Sequence, residues 1–519
     1  MYRDRRGLGV NNSSSNRCLR EQVLQTMDNK NFLKELEIDY LLVNSTNKYL
    51  VEYPDLKENA RYTLTGFSGS TGDALITEDN IYLFVDGRYH TQADNEVKDG
   101  ITVVKLQLGQ SQDEEIRKLL EPDKTLGIVA KKVSQSRLEG FAGYSIKLLL
   151  DDPVNDYTEP HTNKPVKAFD GIDYKPSTPT LVTNLEEVSY LTGLRDFSKD
   201  CSSKIWAKLF LDTDGSGELF VNDDSCLLFL QKYEGELAVD KNSINALDYA
   251  LIKNPINLPS QIKRMKSVKT DKEIDAYKEA FTNTDRAVKA IRNYIENNDN
   301  LSEYDISERL RKEFIRYGAK SLSFNSIVAI NEHSALAHYA KNDKNTILKN
   351  GDLVLIDCGA YYESGLATDI TRVFVKGEPS ELQKQVYTTV LKAFLNCYKS
   401  NYPTGFEIDT LAHNLLDGEI EGFTFSHGLG HGIGINVHEA PPALNKSEIA
   451  KTKIVDNMTF TIEPGLYNPE YFGVRLENSC YMKNGKICSF VKMGYEGKLI
   501  DYNLLNEQEK EWLKEFEIL

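Results

Sequence analysis

The chain has little to offer in the way of cysteine pairing. Its seven cysteines, spread over 519 residues, contain no CxxC spacing and are odd in number. That pattern argues against a zinc–thiolate site and against a disulfide framework, and suits reduced thiols in a cytoplasmic protein. Long apolar runs are absent too; no stretch approaches the roughly 18 residues that a membrane-spanning helix needs. Excess positive charge is missing: 62 Lys and Arg against 78 Asp and Glu leave a formal net charge of −16. An acidic chain is repelled by phosphate backbones and anionic lipid, so neither nucleic acid nor a membrane is expected as a principal partner. The opening MYRDRRGLGVNNSSSN lacks the apolar core of a secretory signal and reads as a flexible tail over residues 1–19. No repeat at a solenoid period is present.

What is there is the composition of an ordinary globular protein, 40% hydrophobic and 27% charged. The length predicts two to four domains. From residue 20 to about 160, helix and strand signals alternate, which predicts an α/β domain. QTMDNKNFLKELEIDYLLVNS reads as helix then strand, DALITEDNIYLFVD and ITVVKLQL as strands, DEEIRKLLE and SQSRLEGFAGYSIKLLL as helices. GFSGSTG is followed by the strand signal DALIT rather than by a helix, so a tight turn between strands is expected in place of a phosphate cradle. A Pro-, Asp-, Asn- and Thr-rich stretch from 155 to 178 reads as a linker into a second, smaller α/β domain over 161–268. Its strand signals are TLVTNLEEVSYLTGL and KIWAKLFLDTDGSGELFV, with DTDGSG as a turn between strands.

Residues 269–519 read as helices on a strongly antiparallel sheet, an α+β domain. Thr270 and Glu273 form a capping box, after which Ile274, Tyr277, Phe281, Val288, Ile291 and Ile295 recur at helical spacing. Ser302 and Gly318 mark the start and stop of a second helix. SELQKQVYTTVLKAFLNCY, EIDTLAHNLLDG and the closing NEQEKEWLKEFEIL add more helices. Strands are expected in SFNSIVAI, LVLIDCGA, TDITRVFV, TFTIEPGLY, GVRLENSCYM and SFVKMGY.

Within these strands lies an electrostatic problem. Asp357, Asp369, His431, Glu463 and Glu477 occupy apolar or glycine-rich segments. Buried carboxylates are costly unless paired or bound to cations. Asp357 and Asp369 lie on strands joined by a turn at YYESG, and Glu463 and Glu477 on strands joined by a turn at NPEYFG, so each pair can face across a ladder. Four carboxylates with one imidazole suit two divalent ions such as Mn²⁺, Zn²⁺, Co²⁺ or Fe²⁺. HGLGH has the i, i+4 histidine spacing of a zinc helix, but its glycines favour an extended segment.

These passages resemble the pita-bread metallopeptidases of family M24, and the Xaa-Pro aminopeptidases among them. The resemblance is strong over roughly the last 250 residues and continues through LTGFSGSTG and LFVDGRY; YLTGLRDFSKDCSSKIW departs from the family's pattern. It implies creatinase-like α/β domains before a pita-bread catalytic domain. Two divalent ions, Mn²⁺ first with Zn²⁺ or Co²⁺ as alternatives, would be held by Asp357, Asp369, His431, Glu463 and Glu477. Glu463 would shuttle the proton. His338 and His438 would contact the substrate and the oxyanion, and His427 would line the proline pocket. Arg88 would bind substrate from the N-terminal domain, and Arg372 and Arg475 would support the ligands. Further implications are proline-containing peptide substrates and a cytoplasmic homodimer. Alternatives are an Xaa-Pro dipeptidase and a non-catalytic binding module of the same fold. His333 carries no role in the resemblance, and a surface position is expected for it.

Overall fold

The computed structural model describes residues 28–107, 109–158, 161–339 and 341–519. The tail expected over residues 1–19 lies outside them. The first layer is a six-stranded sheet in the order Ile101–Lys105, Ile81–Val85, Ala74–Ile76, Tyr40–Val43, Thr125–Val129, Ser145–Leu149. Its outer pairs are parallel, and the hairpin Ala74–Ile76/Ile81–Val85 lies antiparallel between them. Two expectations fail here. GFSGSTG does not join strands: Asn59 caps a helix over Ala60–Thr65, and Gly66 ends it at φ 77°, a conformation that only glycine adopts freely. A six-residue helix is too short for its periodicity to register. SQSRLEGFAGYSIKLLL divides into the helix Gln135–Glu139 and the edge strand Ser145–Leu149, because Gly140 and Gly143 interrupt it.

The second layer is a five-stranded sheet in the order Gly217–Phe220, Lys208–Leu211, Thr180–Val182, Glu236–Val239, Asn254–Asn257. DTDGSG forms its hairpin turn as expected, with Leu211 opposite Gly217. The strand expected through LEEVSYLT is a helix, Leu185–Thr192, because the Asn184 side chain caps it by accepting from the Glu186 and Glu187 amides.

The third layer carries the site. Five antiparallel strands run in the order Ile327–Ile330, Leu353–Cys358, Ile370–Val375, Glu477–Lys483, Thr459–Ile462, and Lys486–Ser489 pairs with Glu477–Lys483. SFVKMGY adds no strand beyond Ser489; Phe490 instead stacks on Phe281 at 5.4 Å, under the long helix Asp271–Asn297. That helix starts from the expected Thr270–Glu273 capping box and buries all six predicted apolar positions. Alternation along Leu353–Cys358 divides the core into two. Leu353 and Leu355 pack with the helices Glu381–Tyr398 and Gly405–Leu416, while Val354 and Ile356 pack with Asp271–Asn297 and Glu303–Arg316. Each fully buried Leu, Val or Ile in these layers contributes about 1.5–3 kcal/mol. Asp357 thus stands on a strand covered by apolar packing on both faces. The whole is the expected architecture of α/β layers followed by an α+β domain. His333, expected at the surface, is half-buried: its Nδ1 lies 2.8 Å from the fully buried Glu303 carboxylate and its ring stacks on Tyr339.

Candidate metal centre

The four acids converge at one end of the antiparallel sheet. Asp357 lies opposite Thr371 in the ladder, and Thr371 lies opposite Glu477. Asp369 immediately precedes the strand Ile370–Val375, and Glu463 immediately follows Thr459–Ile462. The second hairpin differs from the simple form expected. Gly465–Asn468 and Phe472–Arg475 pair with each other as a ribbon separate from the sheet, and Tyr467 adds a bridge to Thr424. Pro464 has no amide to give to a ladder, so the strand breaks beside Glu463. Glu463 and Glu477 therefore stand at the fork between sheet and ribbon. His431 sits in a two-residue strand, Gly430–His431, whose amide donates to Thr461 Oγ1 at 3.1 Å. HGLGH is not a helix; it bends at His427 and Leu429 and is strand only at Gly430–His431.

His431 Nε2 is 3.5 Å from Asp369 Oδ2 and 3.6 Å from Glu463 Oε1. Its Nδ1 lies 2.9 Å from the Gly432 carbonyl, which can only accept, so Nδ1 carries the hydrogen. In the neutral ring the Nε2 lone pair then faces carboxylates: acceptors meet acceptors. Asp369, His431 and Glu477 each offer a ligand atom within 4.8 Å of the others. Asp357 Oδ1, Asp369 Oδ1 and Glu477 Oε1 are buried without a hydrogen-bond partner. Burial, reinforced by Asp357, raises the Asp369 carboxyl far above its ordinary range. Burial and Asp369 do the same to Glu477. Burial and Glu477 push Glu463 up to about 8. Such a cluster binds protons at neutral pH or binds cations. Its unpartnered oxygens and inward-facing imidazole fit divalent ions, with no thiolate among the donors.

Around these acids runs a supporting network. Arg475 Nη2 donates to Asp357 Oδ2 at 2.7 Å, and its Nη1 donates to the Tyr467 hydroxyl at 2.9 Å. Thr371 Oγ1 donates to Glu477 Oε2 at 2.7 Å. His427 is held at both nitrogens. Its Nδ1 donates to the Gly428 carbonyl, so Nε2 accepts from the Tyr467 hydroxyl, each at 2.7 Å. Arg372 works through the backbone: its guanidinium donates to the Glu477 carbonyl at 2.8 Å and to Asn478 Oδ1 at 2.8 Å. It does not line the cavity.

That cavity, about 330 Å³, is lined by all five candidate ligands and by His338, His427, His438, Arg88 and Arg475. The first layer thus reaches over the third. Arg88 is clamped by Asp86 at 2.8 and 2.9 Å and by Thr71 at 3.1 Å. Its neighbour Tyr89 packs on the His338 ring at 5.2 Å. Burial, with Arg88 and Arg475 nearby, keeps His338 neutral, its value well below the usual histidine range. His438 sits against the His431 ring at 4.3 Å and meets Glu52 and the Tyr53 hydroxyl, all at 3.3 Å from Nδ1. Glu52, Tyr53 and Tyr467 are the residues that sequence reasoning missed. Counting by twos from Glu463 along TFTIEPGLY reaches Tyr467 and was an available signal; for Glu52 and Tyr53, in an unremarked VEYP, none was.

The profile of Metallopeptidase family M24 matches residues 275–484, and that of the Creatinase/Prolidase N-terminal domain matches residues 29–143. Residues 275–484 form a family M24 metallopeptidase domain. The M24 domain contains all five candidate ligands as well as His338, His427 and His438, and Arg88 belongs to the creatinase-type domain. Among similar proteins, a probable Xaa-Pro aminopeptidase P of Laccaria bicolor is 26% identical over 94% of this chain and 88% of its own. Xaa-Pro aminopeptidase 1 of Dictyostelium discoideum is 26% identical over 94% of this chain and 90% of its own. An Xaa-Pro dipeptidase of Pyrococcus horikoshii is 37% identical, over 43% of this chain and 62% of its own. The fold is that of the X-prolyl aminopeptidase of Caenorhabditis elegans, with a TM-score of 0.82 at 20% identity, covering 96% of this chain and 94% of that one.

Proposed function

We propose that this protein is a metal-dependent aminopeptidase that hydrolyses the bond between an N-terminal residue and a following proline. The observation that carries the reading is the set of buried, unpartnered carboxylate oxygens on Asp357, Asp369 and Glu477, opening with His431 onto a histidine-lined cavity. Similarity to proteins named Xaa-Pro aminopeptidase along nearly the whole chain supports it.

Asp357, Asp369, His431, Glu463 and Glu477 would hold two divalent ions, Mn²⁺ first, with Zn²⁺ or Co²⁺ compatible with the same donors. Bound there, such a pair supplies Lewis acidity and an acidified water near neutral pH. The protein's own groups do the rest. Glu463, which lines the cavity beside His431, takes a proton and passes it to the departing proline nitrogen. His438, its Nδ1–H donating to Glu52, acts in its doubly protonated form, whose Nε2–H is then available to the oxygen on which negative charge develops. His427, engaged at both nitrogens, offers its ring to the substrate and no hydrogen bond, which suits a proline ring without an amide hydrogen. Arg88 and His338 close the cavity from the other side and orient the peptide.

The experiment is hydrolysis of Ala-Pro-Ala, Ala-Pro and Ala-Ala-Ala by the full chain with Mn²⁺. Release of alanine from Ala-Pro-Ala alone is expected. Cleavage of Ala-Pro in preference would favour the dipeptidase reading, which the 37% identity to the Pyrococcus horikoshii dipeptidase supports over part of the chain. A cytoplasmic location is proposed with it; the six described cysteines are free. A homodimer is part of the same proposal, and sedimentation velocity decides it.

A further inference from the structure

One buried carboxylate close to the site has no part in the reaction above. Glu439 follows His438 directly and is 4% exposed. Its Oε2 accepts from the amides of Ile435 at 2.9 Å and Asn436 at 3.3 Å, and its own amide donates to the Gly432 carbonyl at 2.8 Å. These bonds close the loop between His431 and His438 on itself. Oε1 lies 3.2 Å from Lys266 Nζ and 3.2 Å from Lys269 Nζ, both ammoniums buried. Lys266 belongs to the helix Ile262–Ser267, ahead of the M24 domain, and also reaches Glu186 Oε2 at 3.3 Å. Lys204, further back, donates to Asn436 Oδ1 at 2.8 Å, and Asn436 Nδ2 donates to the His438 carbonyl at 3.0 Å.

The glycines of HGIGINVHEA fit this carboxylate rather than general flexibility. A Cβ at Gly434 would stand 2.0 Å from Glu439 Oε1, and one at Gly432 would stand 2.1 Å from the Glu439 carbonyl oxygen. A side chain at Gly434 would push the carboxylate out of the loop, and one at Gly432 would displace the backbone that carries it. Burying three charges together costs several kcal/mol per ion before their attraction is counted, so the cluster is a poor source of net stability. It does fix one geometry, because each oxygen has a designated partner. Burial opposes charge at Glu439, yet Lys266 and Lys269 hold its carboxyl down at about 2, so it stays ionised throughout the working range.

We infer that Glu439 is a positioning residue: anchored by Lys266 and Lys269, it sets the loop that presents His431 and His438 to the cavity. The middle region of the chain, through Lys266 and Lys204, thereby sets catalytic geometry without touching substrate. The kinetic part of this inference rests on the peptidase reading; the geometric part does not.

Glu439→Gln and Lys204→Met in the full chain test it. The readouts are Mn²⁺ affinity of the metal-stripped protein by calorimetry, kcat and KM on Ala-Pro-Ala at saturating Mn²⁺, and the thermal midpoint without metal. Glu439→Gln is expected to lower Mn²⁺ affinity and kcat each by about tenfold or more, as loss of outer ligand supports and small displacements do. KM should stay within about threefold, the pattern of a group acting on the reacting geometry. Lys204→Met should move both quantities in the same direction by less. Wild-type affinity and kcat in Glu439→Gln would overturn the inference, as would a kcat loss that only follows the folded fraction. If Glu439→Gln does not fold, Lys204→Met decides, and wild-type values there overturn it. If the wild-type protein cleaves no Xaa-Pro peptide, the functional reading falls and the calorimetric comparison alone decides the inference.

Discussion

Arg475 joins Asp357 to Tyr467: one guanidinium donates to the carboxylate at 2.7 Å and to the phenol oxygen at 2.9 Å. Through Tyr467 the link continues to His427, so one acid of the candidate metal cluster and the far wall of the cavity are held as a unit. A lysine has one compact ammonium and cannot span both partners. Arg475→Lys should therefore lower divalent-metal affinity or kcat by about 10- to 100-fold. Calorimetric Mn²⁺ titration and steady-state kinetics on Ala-Pro-Ala check this. Unchanged values would mean that Asp357 needs no outside support.

Glu52 links the first layer to the third through His438. Burial works against its charge, but His438 and then Arg88 bring its carboxyl down to about 2. A folded value below the unfolded one gives stability that is present above about pH 4.5 and lost as the pH falls towards 2. The difference in thermal midpoint between wild type and Glu52→Gln should therefore shrink as pH is lowered from 5 to 3. A difference that stays constant over that window would contradict the assigned pairing.

Glu187, on the helix Leu185–Thr192, shows the opposite behaviour. Its carboxylate is 4% exposed, and burial pushes it up to about 7 although Ser260 Oγ donates to it at 2.7 Å. The folded state then holds the proton more tightly than the unfolded chain. Stability is full below about pH 4.5 and falls as the pH rises through 7. Glu187→Gln should be more stable than wild type at pH 8, on the order of 3 kcal/mol, with the gap closing by pH 4.5. Urea unfolding at the two pH values measures it.

Much of this molecule was legible in its residues because the signals were local and repetitive. The capping box at Thr270 and Glu273, the apolar spacing that follows it and the apolar strand LVLIDC each state their own structure. The candidate ligands were legible because acids inside apolar strands are energetically conspicuous. What could not be read was non-local. Glu52 and Tyr53 meet His438 across more than 380 positions of sequence, and no pattern in VEYP announces it. Pro464 marks the break in the strand by itself, but that the break puts Glu463 and Glu477 at a fork depends on tertiary pairing. The short helix Ala60–Thr65 was hidden because six residues carry too little periodicity, and the strand Ser145–Leu149 because its apolar residues follow a helix closely, with only Gly140 and Gly143 to mark the break.

On the proposed reading, the acid cluster works by holding divalent ions and not by holding protons. The most direct measurement is alanine release from Ala-Pro-Ala by metal-stripped protein as Mn²⁺ is added back, for wild type and for Asp369→Asn. Wild type should be inactive when stripped and recover with added Mn²⁺, while Asp369→Asn should bind Mn²⁺ weakly and remain inactive. Full activity in stripped wild-type protein, or wild-type recovery by Asp369→Asn, would contradict the account.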